Sequence, residues 1–190
     1  LDCALRLASG KFRHKVVDNT PAGFKTLDDW LAKEGAAALQ VCMEATGIYG
    51  EALADFLHQT GFAVSVMNPL RIKAYAKSKL ARNKTDALDA DLIADFCRTQ
   101  APDLWTPPAP EIKQLQALVR QYEALQSMRQ QEVNRLDNGR GCADPSLKPM
   151  LQAHVKFMDK QLEQLAALIQ QHIDQHPLLK HDAELLVSIP

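Results

Sequence analysis

Apolar residues in the first hundred positions switch repeatedly between a period of two and a helical period, and this alternation restricts the fold more than any other property of the chain. Leu1, Cys3, Leu5 and Leu7 alternate, residues 11–17 do the same, and Ser9-Gly10 between them reads as a two-residue hairpin turn. Asn19-Thr20-Pro21 predicts a helix start, with Thr20 as N-cap and Pro21 in the first turn. That helix carries Phe24, Leu27, Trp30 and Leu31 on one face and stops near Gly35. A strand at about 39–44 follows, then a helix over about 48–60 built on Leu53, Phe56 and Leu57 and ended by Gly61. Residues 62–67 read as a further strand, and Asn68-Pro69 caps another helix. A hairpin followed by alternating helix and strand implies an α/β sheet with a parallel portion, covered by helices.

From Ala101 to Pro110 the pattern breaks: four prolines in ten residues exclude helix and mark a linker or domain edge. Two long helical runs follow, about 111–137 and 146–175, separated by Asp137–Pro145. The second places Leu151, Val155, Met158, Leu162, Leu165 and Ile169 at alternating spacings of four and three, a heptad seam that predicts coiled-coil packing. The first has Ile112, Leu115, Val119 and Tyr122, then Val133 and Leu136, with polar Gln126 and Arg129 interrupting the seam. An antiparallel helical hairpin satisfies both stripes, and so does a dimer. The expected organisation is a catalytic domain over 1–100, a linker over 101–110, a helical hairpin over 111–176 and a connection to a further domain from 177 onward.

Composition narrows the class without deciding it. With 190 residues, 46% of them hydrophobic and 24% charged, the chain is ordinary globular material holding one substantial domain and an appended helical element. No apolar stretch approaches the roughly 18 residues that span a bilayer, so no membrane partner is expected. The chain opens in mid-pattern without Met and reads as a fragment. Cys3, Cys42, Cys97 and Cys142 are scattered with no CxxC spacing, which favours small hydrophobes in a reduced, cytoplasmic setting over zinc or redox chemistry. His172 and His176 form a helical pair near His181, suited to surface or interhelix polar roles.

Three acids fall where apolar side chains belong. Glu44 ends the apolar run Leu39-Gln-Val-Cys-Met-Glu44, ahead of the turn-prone Ala45-Thr46-Gly47. Asp86 and Asp89 open a helix in Lys84-Thr85-Asp86-Ala87-Leu88-Asp89-Ala90. Projected at about 100° per residue, they share an arc with Ala90, Ile93, Phe96 and Cys97, whereas Asp91, Asp95 and Arg98 fall opposite as solvent-facing charges. Burying an ionised carboxylate without a partner costs several kcal/mol, so a cation is the natural compensation. First-turn acids are also favoured by the helix dipole, by about 0.3–1 kcal/mol, which accounts for Asp86 but not for Asp89 further in. In open α/β sheets the functional crevice lies at the carboxyl ends of the strands, where Glu44 falls. Oxygen ligands of this kind suit two Mg²⁺ ions about 3.5–4 Å apart, which activate a nucleophile and stabilise the leaving oxygen of a phosphodiester.

Residues 69–85 contain Arg71, Lys73, Lys77, Lys79, Arg82 and Lys84 and no acid. A solvated helix face accounts for such a run in general. Here acids and bases are interspersed elsewhere, so nucleic acid is the expected partner, its backbone held by these cations. Tyr75 suits either base stacking or packing.

With Val41-Cys-Met-Glu-Ala-Thr-Gly-Ile-Tyr-Gly50, Val66-Met-Asn-Pro69 and Ala81-Arg-Asn-Lys-Thr-Asp-Ala-Leu-Asp-Ala90 in this order and at these distances, the chain resembles the DEDD-type insertion-sequence transposases. The likeness covers about 1–100 and extends more loosely through the long helices. It implies a ribonuclease H-like (RuvC-like) mixed sheet with flanking helices, followed by a long antiparallel helical hairpin or coiled coil. It also implies that Glu44, Asp86 and Asp89 are the second, third and fourth members of a Mg²⁺-binding acidic quartet. The first would be an Asp in a Gly-Ile-Asp-like motif on an opening strand just before Leu1; Asp2 is not that residue. After Ser188-Ile-Pro190 the resemblance implies a second domain with a Pro-Gly-Ile-Gly start and a nucleophilic serine. It implies further a homo-oligomeric synaptic complex (dimer or tetramer), recognition of DNA guided by an element-encoded RNA, and a cytoplasmic, nucleoid-associated location.

The expected function is therefore Mg²⁺-dependent DNA cleavage and strand transfer in transposition, with the present segment inactive by itself. One rival is a Holliday-junction-type nuclease of the same fold, against which the Asn-Lys-Thr-Asp signature and the long heptad run argue. The other is a non-catalytic nucleic-acid-binding and oligomerisation module, whose binding would be indifferent to Mg²⁺ and to Glu44→Ala.

Overall fold

The computed structural model describes residues 1–35, 39–79, 86–137 and 146–188, with the side chains of Asp86, Ala87 and Asp137 outside that description. The chain divides into two compact units, Leu1–Pro107 and Pro108–Pro190.

The first unit opens with a hairpin of β1 (Asp2–Arg6) and β2 (Phe12–Val16), antiparallel from Asp2 opposite Val16 to Arg6 opposite Phe12. Its turn is Ala8-Ser9-Gly10, one residue longer than the sequence predicts. The Leu7 amide donates to the Lys11 carbonyl at 2.8 Å and the Gly10 amide to the Leu7 carbonyl at 2.9 Å, with Gly10 at φ +83°. An ordinary turn at Ala8-Ser9 splays the strands unless the next residue is left-handed, and glycine takes that conformation without a Cβ penalty.

Helix α1 (Pro21–Lys33) begins where the local signals put it: Thr20 Oγ1 accepts from the Gly23 amide at 3.2 Å, and Pro21 fills a position whose N–H has no helical partner. It buries Phe24, Leu27 and Leu31. Strand β3 (Gln40–Glu44), helix α2 (Ile48–Gln59) and β4 (Ala63–Met67) form a crossover unit. β3 and β4 pair in parallel from Gln40 opposite Ala63 to Glu44 opposite Met67, as parallel strands joined by a covering helix do. The core gathers Leu57, Val64 and Ala54 from this unit with Phe24 and Leu27 from α1. Asn68 then caps α3 (Pro69–Ser78), its Oδ1 accepting from the Leu70 amide at 2.8 Å. Helix α4 (Asp86–Gln100) packs against both β1 and β3 and also against α3.

Among the described residues the strands form two two-stranded sheets, β1–β2 and β3–β4, rather than the single mixed sheet expected. β1 and β3 do not pair with each other; both line a cavity of about 730 Å³, which Leu27, Leu31, Leu53 and Leu57 from α1 and α2 and Ile93 and Cys97 from α4 also line.

The proline-rich stretch begins as part of this unit. Prolines lack N–H but keep their carbonyls, and these serve as acceptors here. Gln40 Nε2 donates to the Pro102 carbonyl at 2.9 Å, the fully buried Ser65 hydroxyl donates to the Asp103 carbonyl at 2.8 Å, and the Trp105 amide donates to the Val64 carbonyl at 2.7 Å. Trp105 meets His58 edge-on, with centroids 6.0 Å apart.

The second unit contains α5 (Pro110–Asp137), α6 (Leu147–Gln175) and α7 (Pro177–Val187). α5 and α6 run antiparallel: His172 Nε2 donates to the Glu111 carbonyl at 2.8 Å near one end, while Arg129–Asp159 and Glu132–His154 pair nearer the other. Met158 is buried, and Leu151, Val155, Leu162, Leu165 and Ile169 are half-buried along the same stripe. Arg129, the polar interruption of the α5 seam, is half-buried and neutralised by Asp159. The connection at 138–145, with Cys142, lies outside the described residues. α7 occupies residues expected to begin a connection, and Pro177 in its first turn is the start signal. Among the described residues no helix is long and apolar enough to cross a membrane.

Gly23 yields a test of this packing. A Cβ at Gly23 would sit 2.1 Å from the Asp18 carbonyl oxygen, a backbone atom that cannot swing away. Alanine in a helix is otherwise favoured over glycine by about 1 kcal/mol. Gly23→Ala is predicted to destabilise the protein by roughly 1–3 kcal/mol in urea unfolding. A midpoint at or above that of the parent contradicts the packing.

Candidate functional site

Glu44 is the last residue of β3. The Ala45 amide donates to the Met67 carbonyl at 2.8 Å, extending the parallel ladder one bond past Glu44, and Gly47 at φ +62° then turns the chain into α2. The side chain is thereby fixed at the carboxyl end of the parallel pair, half-buried. It lines a cavity of about 780 Å³ together with Asp89 of α4, Lys73 and Lys77 of α3, and Lys79 just beyond it. Ile72 and Leu92 supply apolar wall.

The fold thus brings two of the three acids singled out in the sequence to one cavity. Asp86 is the first residue of α4, one turn before Asp89, but its side chain lies outside the described residues, as do Arg82 and Lys84 entirely. Among the described residues no group of three or more His, Cys, Asp or Glu is arranged to hold a metal ion. Of the cations, Lys73 and Lys77 are exposed and form no ion pair with another described residue. Arg71 is also exposed, with its guanidinium carbon 5.8 Å from the Phe96 ring centroid. Lys79 is different: its Nζ lies 3.2 Å from Asp95 Oδ2.

Asp91 and Asp95 are not the solvent-facing charges that the helical projection expects. Both line the same cavity, with side chains about one-quarter exposed. His14 Nε2 on β2 lies 2.7 Å from Asp91 Oδ1. Asp95 accepts from the Tyr75 hydroxyl at 2.7 Å, pairs with Lys79 and has Arg6 Nε at 3.9 Å. The Tyr75 hydrogen bond, seconded by Lys79 and Arg6, holds the Asp95 carboxyl below the usual carboxylate range. Asp95 in turn raises the Lys79 ammonium above its ordinary value. Tyr75 is a packing residue: its ring meets Phe96 edge-on with centroids 5.2 Å apart. A projection assumes one buried side, whereas α4 is flanked by strands on one side and by α3 on another. No local signal ties Tyr75 to Asp95, twenty residues on.

Chemically, the cavity combines hard oxygen donors, Glu44 at a strand end and Asp89 on α4, with ammonium groups on α3 that pair with no other described residue. That donor set suits divalent cations, and the ammonium groups suit phosphate.

The profile of the DEDD-type transposase family of IS110 elements matches residues 2–138. The pilin gene-inverting protein of Moraxella bovis is 32% identical over 186 residues, which cover 97% of this chain and 56% of that protein. The pilin gene-inverting protein of Moraxella lacunata is 33% identical over 174 residues, covering 90% of this chain and 53% of that protein. The chain therefore spans about half the length of these curated relatives. A profile matched over residues 2–138, with relatives at 32% and 33% identity along nearly the whole chain, shows that the chain belongs to the DEDD-type transposase family.

Proposed function

We propose that this chain is the part of a DNA recombinase that positions a phosphodiester for cleavage and strand transfer, with Glu44, Asp86 and Asp89 as Mg²⁺ ligands. The observation that carries the reading is the shared cavity of Glu44, Asp89, Lys73 and Lys77. The carboxylates are hard oxygen donors from two different elements, the donor chemistry that Mg²⁺ requires. When bound, the metal would supply Lewis-acid activation of the attacking and leaving oxygens. Glu44 and Asp89 would hold it at the strand end, and Lys73 and Lys77 would hold the DNA backbone alongside.

A fourth acid fits the same reading. Glu44 lines the β1–β3 cavity as well as the lysine-lined one, so a carboxylate on an extended segment between β1 and β3 would arrive next to it. Such a segment would also join the two small sheets into one ribonuclease H-like sheet. The name of the Moraxella relatives supports DNA inversion as the kind of rearrangement performed. The family resemblance extends the reading to an RNA guide and to a homo-oligomeric synaptic complex, in which the α5–α6 pair would serve as a coiled-coil assembly element.

Two outcomes are predicted for the full-length protein. Glu44→Gln and Asp89→Asn should each lower Mg²⁺-dependent DNA cleavage by at least about 100-fold with duplex binding retained. Cleavage surviving in either variant would remove that residue from the site. Lys73→Ala and Lys77→Ala should each reduce the slope of log Kd against log salt by about one, without loss of thermal stability. Slopes equal to the parent's would place the DNA elsewhere.

A further inference from the structure

Helix α3 has little to hold it. It is 10 residues long, below the roughly 12–15 at which an isolated helix becomes even marginal in water, and Ile72 is its buried residue. Its cations share one sign and repel one another, so docking must be supplied by specific partners on α4.

Those partners fall on one face of α3. Ile72, Tyr75 and Lys79 follow the three-then-four spacing that lines up side chains along one side of a helix. Ile72 packs with Phe96, Tyr75 sets its ring edge-on to Phe96, and the Tyr75 hydroxyl donates to Asp95 with the Thr99 hydroxyl 2.9 Å away. Lys79 Nζ closes the face, 3.2 Å from Asp95 Oδ2 and 5.3 Å from the Tyr75 ring centroid. Arg6 and Arg98 approach the other carboxylate oxygen at 3.9 and 3.8 Å. Lys73 and Lys77, one turn apart, stand on a different, exposed side.

We propose that Asp95 is a positioning residue that docks α3 onto α4 through Tyr75 and Lys79, so that Lys79 serves the fold and Lys73 and Lys77 are left to meet phosphate. The assignment of phosphate to Lys73 and Lys77 rests on the DNA reading of the cavity; the docking does not. It also divides a run of cations that looks uniform in sequence into two working groups.

The test uses the full-length protein and two readouts. Hydrogen exchange at the α3 amides should speed up by about tenfold or more in Asp95→Ala and Asp95→Asn, while α1 and α2 keep their protection. Asp95→Glu, which keeps the charge, should restore most of the α3 protection. With a short DNA duplex as probe, Lys79→Ala should leave the salt slope of binding unchanged, whereas Lys73→Ala lowers it by about one. Unchanged α3 protection in Asp95→Ala overturns the inference, and so does a Lys79→Ala slope reduced as much as that of Lys73→Ala. Lost α3 protection with flat slopes for Lys73→Ala and Lys77→Ala supports the docking and counts against the DNA reading alone.

Discussion

Parallel pairing of β3 with β4 is the constraint on which the rest of the first unit depends. Parallel neighbours cannot be joined by a tight turn, so α2 must cross over between them. That crossover puts the carboxyl ends of both strands on one edge. Glu44 and Asn68 then emerge side by side in the sequence of events: one ends β3 opposite Met67, and the other caps α3 directly after it. A single register therefore fixes an acid and a basic helix at the same end of the sheet.

α4 completes the arrangement because it is bound on more than one side. Its contacts with β1 and β3 fix the level of Asp89 relative to the strand end, and its contacts with α3 fix the level of Lys73 and Lys77. Cys97 adds a weak tie, its Sγ 3.7 Å from the Gln40 carbonyl. The far edge of β4 is covered by the Pro102–Trp105 segment, where Ser65 and Gln40 satisfy carbonyls that a proline-rich strip cannot satisfy within itself. Two α4 carboxylates that line the Glu44 cavity find partners on other elements, Asp91 in His14 and Asp95 in Tyr75 and Lys79.

Much of this was legible in the sequence wherever the cause was local. Thr20-Pro21 and Asn68-Pro69 announce helix starts through caps, and Gly35 and Gly61, at φ +69° and +91°, announce helix ends through backbone freedom. Glu44 and Asp89, which the fold brings to one cavity, also stand out in one dimension, as acids in an apolar pattern. The roles of Asp91, Asp95 and Lys79 were not legible, because their partners lie on other elements and periodicity carries no record of which element packs where. The separation into two sheets was hidden for the same reason: strand patterns fix faces, not neighbours. The hairpin turn missed by one residue because a glycine serves equally in a two- or a three-residue turn.

The central claim is that the strand end at Glu44 and the start of α4 form one metal site. Anomalous scattering from Mn²⁺ in crystals of the full-length protein tests it most directly. The account predicts a peak at about 2.0–2.6 Å from carboxylate oxygens of both Glu44 and Asp89. Mn²⁺ bound away from these two residues, with neither carboxylate in its coordination sphere, would contradict it.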